Sequence, residues 1–62
     1  MELLIWQMRT KKGYSCRKLA DKSGLSKSTI NNIENEKTSP TLEQLEAIAS
    51  ALDCRIIDLF KE

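Results

Sequence analysis

The sequence predicts an all-α fold, a compact five-helix bundle, and three observations carry that prediction. Apolar residues recur at helical spacing through most of the chain. Ser or Thr stands where three of those segments begin, at Ser15, Ser26 and Thr41. The two glycines, Gly13 and Gly24, fall where two segments end. With 62 residues, 40% apolar and three aromatic, one domain over 1–62 is expected, close to the lower size limit for folding without a metal or disulfide.

The elements follow in order. The first helix is expected from Glu2 to Lys12, with Ile5 and Met8 inward, lysines in the last turn and Gly13 as the stop. Ser15 caps a second helix over Cys16 to Ser23, which buries Leu19 and the small Ala20. Gly24 turns the chain, and Ser26 caps a third helix over Lys27 to Asn35 with Ile30 and Ile33 on its inner face. Residues 35–40, NEKTSP, form a loop. Thr41-Leu42-Glu43-Gln44 has the form of a capping box, opening a fourth helix whose inner stripe is Leu42, Leu45, Ile48, Ala49 and Leu52. Asp53 breaks that pattern before a short last helix near Ile56 to Lys61.

The stretch from Ser15 to Asn35 carries the functional information. A third helix pinned by Ile30 and Ile33 must present Lys27, Ser28, Asn31 and Asn32 on its far side, because the helical period displaces them from the buried stripe. None of the four is apolar. The joint spacing of Arg9, Leu19-Ala20, Gly24-Leu25-Ser26, Ile30, Ile33-Glu34, Pro40-Thr41, Leu45, Ile48-Ala49, Ala51-Leu52 and Leu59-Phe60 resembles the phage-repressor (Cro-type, XRE-type) helix-turn-helix family over nearly the whole chain. The resemblance implies a transcriptional regulator, usually a repressor acting by occlusion, that binds double-stranded DNA as a homodimer with its third helix in the major groove.

Lys27 at the start of that helix can donate to guanine O6 and N7, Asn32 matches adenine N7 and N6, and Ser28 can serve either base. By resemblance these three are the base contacts, with Asn31 a fourth. Phosphate contacts are expected from helix N-termini and the loop, at Cys16, Arg17, Asn35, Lys37 and Thr38. Relatives mostly carry glutamine where Cys16 stands and glycine where Glu36 stands, so at Cys16 only the backbone N–H matches the family pattern. The resemblance also pairs Arg9 with Glu34 across the first and third helices. Leu3, Trp6 and Ile57 stand apart from the single-core pattern and either mark contact with a second chain or enlarge a small core.

Charge is uneven. Residues 1–40 hold eight Lys or Arg against four acids, a balance of +4, whereas residues 41–62 hold two against five, a balance of −3. A basic half containing the turn suits an approach to phosphates, and an unevenly charged solvated surface is the plainer alternative. Cys16 is expected on the exposed side and Cys54 in the core, both as reduced thiols, and without histidine no zinc-ligand spacing exists. The apolar run of MELLIW is too short for a membrane segment, so a soluble protein of the bacterial or phage cytoplasm is expected, with no cofactor and no small-molecule ligand. An enzyme is disfavoured because there is no histidine, glycine-rich phosphate loop or cysteine with a base partner. An antitoxin or protein-interaction module on the same fold is the stronger rival, but it should carry apolar residues at 27, 28, 31 or 32.

Overall fold

A computed structural model of the chain describes residues 2–62. Four α-helices form the body: α1 (Ile5–Lys11), α2 (Cys16–Ser23), α3 (Lys27–Glu34) and α4 (Leu42–Ala51). A 3-10 turn (Ile56–Leu59) follows, and a two-stranded antiparallel ribbon of β1 (Glu2–Leu3) and β2 (Phe60–Lys61) joins the two ends of the chain.

Two elements therefore differ from the sequence expectation of five helices. The first helix begins three residues late because Glu2 and Leu3 pair with Lys61 and Phe60, and Leu4 N–H donates to the Leu59 carbonyl at 2.7 Å. The expected last helix is one 3-10 turn, held by Arg55 N–H donating to Asp58 Oδ2 at 3.0 Å, after which the chain extends into β2. So short a ribbon is marginal by itself, and here it persists because Leu59 is fully buried beside it.

The N-terminal caps match the sequence reading. Ser15 Oγ accepts from Lys18 N–H and Ser26 Oγ from Thr29 N–H, each at 3.0 Å. Thr41 and Gln44 close a reciprocal capping box at 3.1 and 3.0 Å. The C-terminal ends show a device less visible in sequence. α1, α3 and α4 all close with paired backbone bonds around a left-handed residue: Gly13, Glu36 and Asp53. At the end of α3, Glu36 N–H donates to Ile33 O and Lys37 N–H to Asn32 O. Only the first of these three positions is glycine; Glu36 (φ 56°) and Asp53 (φ 54°) carry the steric cost of a Cβ there.

Ile5, Leu19, Ala20, Ile30, Ile33, Leu45, Ile48, Ala49, Leu52 and Leu59 make one core, with Leu3, Met8, Tyr14, Cys16, Leu25, Ala51, Cys54 and Ile56 packed around it. Leu42 does not belong to it. At the first position of α4 it stands 64% exposed, beyond the elements that cover the rest of its stripe. No helix among the described residues is long and apolar enough to cross a membrane.

Candidate nucleic-acid interface

α3 is held from two directions. Ile30 and Ile33 are fully buried against the core, and Glu34 on the neighbouring turn receives Arg9 of α1. Arg9 Nε donates to Glu34 Oε2 at 2.7 Å and Nη2 to Oε1 at 3.0 Å, a two-pronged pair, while Nη1 donates to the Tyr14 carbonyl at 3.0 Å. The Arg9 and Glu34 side chains are only 12% and 8% exposed. The carboxylate hydrogen bond raises the Arg9 pKa above its already high ordinary value, outweighing the opposing effect of burial. The pair thus fastens the C-terminal end of α3 to α1 and to the turn after it.

With its inner side fixed, α3 offers Lys27, Ser28 and Asn31 to solvent, while Asn32 is half-buried. These four supply an ammonium, a hydroxyl and two carboxamides, a mixed set of donors and acceptors of the kind that base edges require. At the helix start Ser26 Oγ and Thr29 Oγ1 lie 2.8 Å apart, and near its end Asn35 Nδ2 donates to Asn31 Oδ1 at 3.2 Å. Sequence reasoning missed both pairs, although each sits at the three- or four-residue spacing that brings helical side chains together.

The starts of α2 and α3 lie side by side, since Cys16 Sγ is 3.9 Å from the Lys27 carbonyl. Cys16 is half-buried and packed against the core, contrary to the expectation of an exposed thiol: the close approach of the two helix starts covers it. Its neighbour Arg17 is exposed. Because Ser15 and Ser26 cap the third amides of their helices, the first two N–H groups of each, at Cys16, Arg17, Lys27 and Ser28, have no intrahelical acceptor. Asn35, Lys37 and Thr38 are exposed beyond α3. The backbone N–H groups of Asn35 and Lys37 are engaged with the Asn31 and Asn32 carbonyls, so at these two positions only side chains can reach outward. Lys18 and Lys22 stack over the half-buried Tyr14 ring, 5.0 and 5.5 Å from its centre, an arrangement hidden in sequence because Tyr14 lies outside any helix.

A family model described as "Helix-turn-helix" matches residues 7–59, which include both helices and the turn that form this surface. The chain belongs to the XRE-type helix-turn-helix family. Among its relatives is the HTH-type transcriptional regulator SinR of Bacillus subtilis, 41% identical over 59 residues, a match that takes in 94% of this chain and 53% of SinR. The chain thus spans about half the length of the curated relatives it matches first. In three dimensions it is similar to the restriction-modification controller protein C.AhdI of Aeromonas hydrophila, with a TM-score of 0.87 and 34% identity over 90% of this chain and 85% of that one. SinR solved in complex with DNA superposes with a TM-score of 0.81 and 37% identity, covering 86% of each chain.

The apolar residues set apart in the sequence do not line a common recess. Ile57 is 60% exposed at the rim of an open cleft of about 470 Å³ between α4 and the 3-10 turn, lined also by Glu46, Ala49, Ser50, Cys54, Arg55 and Ile56. Leu3 is half-buried, pairs with Phe60, and lines a separate recess with Glu36 and residues 38–40. Trp6 is 55% exposed on α1 and lines neither. Burial pushes the Cys54 thiol in the first cleft above its ordinary value, with the Asp58 carboxylate adding to the effect.

Proposed function

We propose that this chain binds double-stranded DNA in a sequence-specific manner and regulates transcription, as a repressor in a bacterial cytoplasm. The observation that carries this reading is the polar outer face of a helix whose inner face and far end are both clamped. Lys27, Ser28, Asn31 and Asn32 contact base edges in the major groove. The free amides at the start of α2, with Cys16 and Arg17, and the side chains of Asn35, Lys37 and Thr38 hold phosphates. The complex of the relative SinR with DNA supports the same use of the fold here.

The working form is a homodimer. Ile57 and the apolar cleft beside it, with Glu46 and Arg55 at opposite charge, suit a two-fold contact in which each copy presents the same patch to the other. With extents of 27, 21 and 18 Å, two copies side by side can set their α3 helices one duplex turn apart, about 34 Å.

Alanine substitution separates base reading from phosphate holding. Asn32→Ala relaxes preference at one base pair at a cost of about 1–3 kcal/mol, whereas Lys37→Ala weakens binding to every sequence alike and lowers the salt dependence by about one unit of slope. Fluorescence anisotropy over a salt series reads both. Equal losses on every sequence from both substitutions contradict the assignment.

A further inference from the structure

The outer face of α3 contains a bond that biases which way one of its carboxamides faces. Asn35 closes α3 and is tied twice to Asn31, through its backbone N–H to the Asn31 carbonyl at 3.0 Å and through Nδ2 to Asn31 Oδ1 at 3.2 Å. The second bond turns the Asn31 side-chain oxygen toward the end of the helix. Asn31 Nδ2 makes no hydrogen bond among the described residues, and the residue is exposed, so its amino group is the outward end.

We infer that Asn35 orients the Asn31 carboxamide so that Asn31 acts as a hydrogen-bond donor and selects guanine at one base pair of the site. This inference rests on the proposal that α3 enters the major groove. Guanine presents two adjacent acceptors there, O6 and N7, to which the two N–H bonds of one amino group can be directed. Adenine presents N7 beside an amino group, so its recognition needs the carboxamide oxygen and nitrogen offered together. With the oxygen committed to Asn35, the adenine amino group meets a like donor.

In bulk water an exposed side-chain bond of this kind biases the amide only about twofold. In the groove the bias grows, because reversing Asn31 alone sets its amino group against the Asn35 amino group, two donors face to face where water is displaced. Asn35 is therefore a positioning residue acting through Asn31. Its second role is separate: the other hydrogen of its Nδ2 remains free to donate to phosphate.

The test uses the whole chain and an operator obtained by selection, with all four base pairs placed in turn at each position. Binding of the parent, Asn31→Ala, Asn35→Ala and the double variant is read by fluorescence anisotropy at one salt concentration, with circular dichroism showing that each is helical. At the pair whose preference vanishes in Asn31→Ala, the parent should favour guanine over adenine by about tenfold. Asn35→Ala should reduce that preference at the same pair alone and have no further effect on it once Asn31 is alanine, an interdependence that phosphate contact by Asn35 would not produce. The inference is overturned if the pair favours adenine, cytosine or thymine, if Asn31→Ala changes no preference, or if Asn35→Ala leaves the preference at that pair unchanged. A parent without base preference anywhere removes the groove-reading proposal itself, whereas the other adverse results leave it standing.

Discussion

Replacing Glu34 by alanine tests how α3 is held. The substitution removes both carboxylate acceptors of Arg9 and leaves the guanidinium, about one-tenth exposed, with only the Tyr14 carbonyl as a partner. Stranding a buried charge in this way costs roughly 3–5 kcal/mol. A chain of 62 residues has a total stability of roughly 3–9 kcal/mol, so the variant should lose a third of its stability or more. Glu34→Gln should fall between, since it keeps one acceptor oxygen but turns an NH2 group toward a donor. Arg9→Met/Glu34→Met should cost well under the sum of its single variants, because removing both partners leaves no stranded charge and only the Tyr14 carbonyl without its donor. Urea unfolding followed by far-ultraviolet circular dichroism is the suitable assay, with a slope of about 1 kcal/mol per molar urea expected for a domain of this size. Trp6 fluorescence would be a poor probe because that side chain is already half exposed. A loss below about 1 kcal/mol for Glu34→Ala would show the pair behaving as a surface contact and refute the clamp.

Three further outcomes follow from particular residues. Glu36→Gly should stabilise the domain by up to about 1 kcal/mol, since glycine relieves the left-handed strain at φ 56°, and should also tighten duplex binding by removing a negative charge from the loop; unchanged stability in urea would count against strain there. Ile57→Asp should leave the circular dichroism intact and yield monomers in sedimentation, whereas an unaltered dimer would place the two-fold contact elsewhere. Cys54 should be alkylated at pH 8 more slowly in the native chain than in denaturant. Its raised native pKa also means that stability falls as pH rises through about 9, where the unfolded thiol ionises before the native one; equal alkylation rates in the two states would deny the burial effect.

What could be read from sequence was local. Ser15, Ser26 and Thr41 each bond an amide three residues on, and Ile30 and Ile33 define one face without reference to anything distant. The terminal ribbon was illegible because Glu2 finds Lys61 only through the folded body, and neither end carries a strand pattern of its own. Leu42 fits the helical stripe, yet periodicity cannot say where the covering elements stop. The outer face of α3 followed from the period, but the turning of Asn31 by Asn35 depends on side-chain geometry that spacing alone does not set.

Selection from a random duplex library, read by sequencing, tests the central proposal that the outer face of α3 reads a groove. The parent chain should enrich one palindromic motif, with half-sites about one turn apart. The Lys27→Ala/Asn32→Ala variant, still folded, should retain salt-sensitive binding but lose that enrichment. No motif from the parent, or the same motif from both proteins, would contradict the account.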